Sequence, residues 1–260
     1  MSEPLASLQR DDRGVYTLML NQPRAFNALS SAMLAQLQTA VDTVKSDDSA
    51  RVLVIASTGK AFCAGHDLKE MRAHPEHDWY KQLFDQCTRF MMSLRALEVP
   101  VIARVHALAT AAGCQLVAQC DLAVAADAAS FGVNGIDVGL FCSTPSVALS
   151  RNMQPKQAME MLLTGGFISA QEARERGLVN RVVPVESLDE TVAQLVDQIV
   201  AKPREAIAMG KVLFYRQLET GMGSAYQLAG HTMACNMMAD VAQEGVQAFI
   251  DKRPPAWRQT

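Results

Sequence analysis

The 260-residue sequence lacks long apolar runs, blocks of like charge and an excess of positive charge. Its net charge of -3 argues against a nucleic-acid surface, which needs a basic face. No window approaches the roughly 18 apolar residues that cross a bilayer, so we expect no membrane partner. The N-terminal segment has neither an apolar core nor an Arg-rich amphipathic stretch. We therefore expect no export or transit signal and a cytoplasmic location.

Cysteine and histidine motifs are also missing. The six cysteines are scattered, lack CxxC spacing and mostly lie in apolar runs. We interpret them as reduced and buried residues, because a chain of this length needs no disulfide framework. His74, His77 and His231 do not have the spacing of metal ligands. We expect no metal site.

What is present is a 49% hydrophobic sequence in which strand and helix patterns alternate. The apolar content is sufficient to form the core of one α/β domain with an appendage, or the cores of two small domains. Ser30 or Ser31 is positioned to cap a helix that runs to about Lys45. Strands are predicted at residues 15–20, 51–56, 100–105, 121–126 and 131–133, and helical patterns, interrupted at 181–183, dominate after about residue 155. The alternation predicts a mostly parallel sheet, a class with many functions.

Two segments are unusually rich in small residues: TGKAFCAGHDL at 58–68 and ALATAAGCQ at 107–115. Bare backbone allows a ligand to approach main-chain N–H groups, and a helix N-terminus adds unpaired donors. If the two loops face each other, they place two donors on one oxygen, as an oxyanion hole does. Alternatively, the small residues only permit tight helix–sheet packing.

Five blocks of sequence resemble the crotonase (enoyl-CoA hydratase/isomerase) family. They are NQPRAFNAL at 21–29, AFCAGHDL at 61–68, ALATAAGCQL with VAQCDLAVA at 107–125, the helix and strand pattern at 163–184, and the C-terminal pattern at 244–257. They occur in the family's order and cover nearly the whole chain. GLFCSTP at 139–145 is similar to the branch of enoyl-CoA hydratase domain-containing proteins.

The resemblance implies an α/β fold, a crotonase-like spiral of ββα units with a helical C-terminal trimerisation region. It implies a core with an acyl-CoA site at residues 1–195 and an oligomerisation region at 196–260. The expected partners are an acyl-CoA thioester substrate, in fatty-acid or related metabolism, and copies of the chain in a homotrimer or hexamer. Coenzyme A is then part of the substrate, and no separate cofactor is expected.

The resemblance also implies roles for individual residues. Matching residue by residue, the two oxyanion donors are the backbone N–H groups of His66 and Ala112. Contacts with coenzyme A fall on Arg24, Ala25, Ala64, His66, Asp67, Leu68, Phe249 and Lys252, the last two often reaching the nucleotide of a neighbouring subunit. For Arg24 and Lys252 the alternative is an ordinary solvated charge.

The sequence departs from the family at both hydratase glutamates, whose positions hold Gln115 and Gly135. An amide can hold a water but cannot take its proton at neutral pH, and glycine has no functional group. Because each acid–base group contributes about 10²–10⁴-fold to rate, we expect slow hydration.

Asp137 and the His66 imidazole are the remaining candidate proton carriers. In an extended segment Asp137 would face the same side as Gly135, and an apolar pocket would raise its pKa. A salt bridge or cap is the alternative for Asp137, and a satisfied polar contact for His66, whose ring titrates near neutrality. Ser143 or Thr144 is predicted to cap a helix, with Pro145 in its first turn.

Three functions are compatible with the sequence. The chain is an acyl-CoA enzyme that hydrates weakly or isomerises, a catalytically decayed acyl-CoA-binding protein, or a trimeric scaffold without a ligand. The small-residue loops argue against the scaffold.

Overall fold

The computed structural model describes residues 4–258, which form two β-sheets with surrounding helices. The strands are β1 (Ala6–Arg10), β2 (Val15–Leu20), β3 (Val52–Ser57), β4 (Ala61–Cys63), β5 (Val101–Val105), β6 (Leu108–Thr110), β7 (Leu122–Ala126), β8 (Ser130–Gly132), β9 (Ile168–Ser169) and β10 (Arg181–Val183). The helices are α1 (Ser31–Lys45), α2 (Leu68–Ala73), α3 (His77–Ala96), α4 (Ala112–Gln119), α5 (Ser143–Leu149), α6 (Pro155–Thr164), α7 (Ala170–Glu175), α8 (Leu188–Val200), α9 (Arg204–Gln217), α10 (Met222–Met238) and α11 (Asp240–Ile250). Short 3₁₀ turns lie at Pro23–Ala25, Asn134–Val138, Val185–Ser187 and Ala256–Arg258.

The strand order is a spiral of ββα units. The larger sheet has the order β1-β2-β3-β5-β7-β10 and is parallel except for β1. The smaller sheet has the order β4-β6-β8-β9 and is parallel except for β9. Each of β3, β5 and β7 is followed by the next strand of the smaller sheet and then by a helix. The predicted α/β class and ββα spiral are confirmed.

The core lies on both faces of the larger sheet, as the continuous apolar pattern of β3 predicts. Leu53 and Ile55 belong to the main core with residues of α1, α3 and α4, whereas Val52 and Val54 pack in a second cluster with residues of α8. Successive side chains of a strand point to opposite faces, so β3 joins the two clusters.

Helix α1 forms as its sequence predicts. The Ser30 hydroxyl accepts a hydrogen bond from the Met33 amide at 3.1 Å, so Ser30 is the N-cap. The apolar face of α1, formed by Met33, Leu34, Leu37 and Val41, is buried.

The C-terminal helices differ in how closely they pack against the core. The predicted domain boundary at 195/196 falls inside α8, which packs on the sheet. Lys211 attaches helix α9 to the core. Its ammonium lies 2.7 Å from the Asp121 carboxylate and donates to the carbonyls of Leu94 and Val99. The Tyr215 hydroxyl donates to the same carboxylate at 2.7 Å. Helix α9 is therefore attached to the core, whereas α10, the next helix, has no buried residue.

Helices α10 and α11 expose large apolar side chains, among them Met222, Met233, Met238, Phe249 and Ile250. No helix within residues 4–258 is both long enough and apolar enough to cross a membrane. All six cysteines are free, and five are buried as predicted. The prediction is wrong for Cys235, which is exposed on α10, a helix that has no buried residue.

Candidate active site

The two small-residue loops meet at one edge of the smaller sheet. Because β4 and β6 are parallel neighbours, the chain leaves both strands on the same side. A β carbon placed on Gly65, whose φ is +87°, would lie 2.8 Å from the Ala111 β carbon and 3.2 Å from the Ala112 nitrogen. Only a glycine allows the loops this close contact.

Each loop carries a backbone N–H that has no backbone partner within residues 4–258. Ala112 is the first residue of α4, so its N–H has no intrahelical acceptor. An isolated β-bridge pairs Leu29 with His66. In this bridge the Leu29 amide donates to the Gly65 carbonyl at 2.7 Å, and the His66 amide is not used. Ala112 and His66 both border the same cavity. An oxyanion hole needs two backbone donors beside one cavity, and these two amides are the candidates for it.

The packing alternative applies to a different residue of the second loop. A β carbon on Gly113 would lie 2.1 Å from the Cys63 carbonyl oxygen, so Gly113 is needed for the contact between α4 and β4. The small residues therefore serve both purposes: Gly113 allows tight packing, and Gly65 brings the two amides together.

Ala111, directly before the second donor, has a strained backbone with φ 49° and ψ -122°. An L-residue in a sparsely populated region costs about 1–3 kcal/mol and persists only where its surroundings hold it. Its amide donates to the Gly132 carbonyl at 2.9 Å, and its carbonyl accepts from the Gln115 amide at 3.0 Å. These bonds fix the direction in which the Ala112 N–H points.

The cavity beside the two amides has a volume of about 270 Å³ and mainly apolar walls. The apolar side chains that line it include Met71, Phe84, Leu140, Phe141 and Pro145. Among the described residues that line it there is no Asp, Glu, Lys or Arg. An uncharged acyl chain fits these walls, whereas a charged group would be desolvated without a partner.

The His66 imidazole is a neutral group in this site. Its Nδ1 lies 3.2 Å from the Leu29 carbonyl oxygen and its ring packs edge-on against Phe84. Burial lowers the pKa of His66, although the Glu70 carboxylate opposes that shift. Nδ1 therefore carries the proton, and Nε2 is a buried acceptor with no partner within residues 4–258.

The positions of the two missing glutamates differ in their surroundings. Gln115 is buried on α4, does not line the cavity, and its Oε1 has no partner in the described part of the chain. Gly135 does line the cavity. A β carbon there would lie 2.4 Å from the Leu140 carbonyl oxygen and 2.8 Å from the Cys142 sulfur. A glutamate at 135 would require this loop to move.

Asp137 does not lie in an extended segment, so the geometric reason for placing it in the site is wrong. It belongs to the 3₁₀ turn Asn134–Val138, in which residues two positions apart point in different directions. Its side chain is exposed and does not line the cavity. A β carbon on Gly165, at the end of α6, would lie 2.7 Å from its Oδ1.

Three of the predicted coenzyme A contacts, Ala64, His66 and Leu68, border the cavity, and Leu68 is 57% exposed. Asp67 is the N-cap of α2, because its carboxylate accepts from the amides of Lys69 and Glu70 at 2.9 and 3.2 Å. The loop is thereby fixed in position at the entrance of the cavity.

The other predicted contacts lie further out. Arg24 and Ala25 lie on a 3₁₀ turn that adjoins the cavity, since the Ala64 amide donates to the Phe26 carbonyl at 3.0 Å. Phe249 and Lys252 line a separate groove next to Trp257 and do not border the cavity of the same chain. A role for these two in a neighbouring subunit's site stays a prediction.

Two of the cavity's polar groups have no recognisable signal in the sequence. The Thr110 hydroxyl donates to Asn134 Oδ1 at 2.7 Å, and both residues line the cavity. They are 24 residues apart and meet only because β6 and β8 are neighbours. Their contact depends on tertiary structure and has no local pattern.

Pro145 lies in the first turn of α5 as predicted, but the predicted cap by Ser143 or Thr144 is wrong. Cys142 is the N-cap residue and no side chain caps α5; the Ser143 hydroxyl instead contacts the Phe141 carbonyl at 3.3 Å. Burial raises the pKa of Cys142, and raises that of Cys114 to about 12. These thiols are protonated at neutral pH and are not nucleophiles.

Both the sequence and the fold are similar to those of known proteins. The family model described as enoyl-CoA hydratase/isomerase matches residues 10–260. The mitochondrial enoyl-CoA hydratase domain-containing protein 3 of Rattus norvegicus is 44% identical over 256 residues, covering 98% of this chain and 85% of the rat protein. An enoyl-CoA hydratase structure from Mycobacterium smegmatis matches with a TM-score of 0.97 and 61% identity, covering 98% of this chain and 100% of the other. The human domain-containing protein 3 matches with a TM-score of 0.94 and 43% identity, covering 97% and 100%.

These relatives correct one expectation and establish the family. The expected cytoplasmic location is wrong by this comparison, because the relatives of rat, mouse and human are named mitochondrial. The family model spans nearly the whole chain, and the relatives share its fold over their full length. The chain belongs to the enoyl-CoA hydratase/isomerase family.

Proposed function

We propose that the chain binds an acyl-CoA thioester and stabilises its enolate on the backbone amides of His66 and Ala112. The observation that carries the proposal is the contact of the two loops at Gly65, which brings both amides to one apolar cavity. Amides held in a water-poor cavity polarise a thioester carbonyl far more strongly than water does.

The walls of the cavity support an uncharged acyl group. Its apolar lining favours an alkyl or alkenyl chain, and the absence of charged residues among the described lining disfavours a second carboxylate. Coenzyme A would leave the cavity past Ala64 and Leu68, towards the turn that carries Arg24. Acyl groups of fatty-acid metabolism have this chemistry.

Turnover in such a site is slow. Neither Gln115 nor Gly135 offers a carboxylate, and Asp137 is turned towards Gly165. Loss of general acid–base catalysis costs about 10²–10⁴-fold per group, and two losses need not multiply. The reaction is then weak hydration of a 2-enoyl thioester or another reaction of the enolate, such as isomerisation.

A second candidate, an acyl-CoA-binding protein without catalysis, is favoured by the same lack of a carboxylate. Calorimetry with butyryl-CoA tests binding, and turnover of crotonyl-CoA separates the two candidates. Measurable hydration that is lost when the His66 and Ala112 amides are moved apart supports the first candidate, an enzyme. Tight binding without turnover supports the binding protein, and absence of binding contradicts both.

We also propose that the chain assembles into a trimer or hexamer. Helices α10 and α11 expose apolar side chains, such as Met233 and Phe249, that a projecting region cannot bury by itself. The groove that contains Phe249 and Lys252 would then lie where a second copy can reach it.

A further inference from the structure

The apolar cavity contains one hydrogen-bonded pair of neutral side chains. Thr110 ends β6, and Asn134 begins the 3₁₀ turn that follows β8. The Thr110 hydroxyl donates to Asn134 Oδ1 at 2.7 Å, and Thr110 is only 8% exposed. A polar pair among apolar walls is costly unless its remaining hydrogen-bonding groups also find partners.

The pair leaves both a donor and an acceptor free. No hydrogen bond of Asn134 Nδ2 is found within residues 4–258, and the Thr110 oxygen keeps a lone pair after donating its own proton. One hydroxyl group or water can accept from Asn134 and donate to Thr110. Because neither side chain is charged, the pair has no preference for a carboxylate or an ammonium group.

The pair also lies next to the two oxyanion donors. Thr110 precedes Ala112 by two residues, and its carbonyl oxygen would lie 3.2 Å from a β carbon on Gly65. Asn134 follows the β8 residue Gly132, whose carbonyl accepts from the Ala111 amide. The pair and the two donor residues therefore border the same cavity.

We propose that Thr110 and Asn134 form a hydroxyl subsite for the oxygen on C3 of a 3-hydroxyacyl thioester, or for the water that occupies the same place beside a 2-enoyl thioester. The inference rests on the proposed function, because an enolate at C1 and C2 is the chemistry that exchanges a group on C3. Both are positioning residues, since neither takes a proton at neutral pH.

Calorimetry measures the affinity for 3-hydroxybutyryl-CoA, as separate enantiomers, and for butyryl-CoA. We expect the wild type to bind one enantiomer about ten-fold more tightly than butyryl-CoA, the equivalent of about 1.4 kcal/mol. Thr110→Val keeps the shape of the side chain and removes its hydroxyl, so the ratio of the two affinities falls towards one. Asn134→Ala provides a second variant, and Thr39→Val, on the exposed face of α1, is the matched control that keeps the wild-type ratio.

The outcomes separate the two sources of oxygen. A wild-type ratio that Thr110→Val and Asn134→Ala reduce supports a hydroxyl on the ligand. A ratio near one, with crotonyl-CoA hydration about ten-fold slower in Thr110→Val than in Thr39→Val, supports a bound water. A ratio near one with hydration absent or unchanged overturns the subsite while leaving the proposed function intact. If butyryl-CoA does not bind to the wild type, the proposed function itself fails and the subsite with it.

Discussion

Gly65→Ala tests how closely the two donor loops must approach. The new β carbon would lie 2.8 Å from the Ala111 β carbon, about 1 Å inside the favourable carbon–carbon distance. The loops must separate, which moves the His66 amide away from the Ala112 amide. Since one oxyanion donor is worth about 10²–10³-fold, we expect stabilisation of an enolate to fall by at least 10²-fold, or about 2.7 kcal/mol.

Acetoacetyl-CoA is a suitable probe because it ionises to a stable enolate, whose affinity is measurable even if turnover is slow. The matched control is Gly177→Ala, in which φ is also +87° and the new β carbon would lie 2.8 Å from the Asn152 carbonyl oxygen. Both variants should lose about 1–3 kcal/mol of unfolding free energy in urea. Only Gly65→Ala should lose enolate affinity; equal affinity in the two variants would refute the assignment of the donors.

Four further predictions concern stability and assembly. Ala111→Gly should raise the free energy of unfolding in urea by about 1 kcal/mol, because glycine relieves the positive φ at a small entropic cost; lower stability would show that Ala111 is not strained. Burial lowers the pKa of His66, so as the pH falls below about 6.5 the imidazole is protonated in the unfolded chain before it is protonated in the folded one, and the free energy of unfolding decreases. His66→Gln should flatten this part of the curve of stability against pH. An unchanged curve would contradict this role of His66. Lys211→Met should lower the free energy of unfolding in urea by about 3–5 kcal/mol, because it leaves Asp121 without its buried partner. Lys202→Met, at an exposed position, should change it little. A similarly small change in both variants would contradict the role of Lys211 in attaching α9 to the core. The proposed trimer is checked by light scattering at micromolar concentration, where a monodisperse monomer would contradict it.

The elements with continuous apolar patterns were predictable from the sequence. Strand β2 and helix α1 lie where the sequence places them, because their alternating and helical periodicities match the faces that they bury. The short strands β4, β6 and β9 were missed, since two or three residues cannot establish a periodicity. They form because neighbouring turns of the spiral supply their pairing partners.

The candidate site was predictable where backbone chemistry is local. Glycine at 65 and the start of a helix at 112 are visible in the sequence, and these positions now lie together. Asp137 was misplaced because the segment after β8 is a 3₁₀ turn, which its sequence does not distinguish from an extended one. A glutamate at 135 would have to displace the loop, since Gly135 has no room for a β carbon.

The most direct test of the central claim is the carbonyl stretch of bound crotonyl-CoA that carries ¹³C at the thioester carbon. Isotope-edited infrared difference spectra isolate this band in the wild-type protein. If the His66 and Ala112 amides both donate to the thioester oxygen, the band should move to lower wavenumber than in water, because the C=O bond is polarised. A ligand that binds with its carbonyl band at the position found in water would contradict the claim that this site is an oxyanion hole.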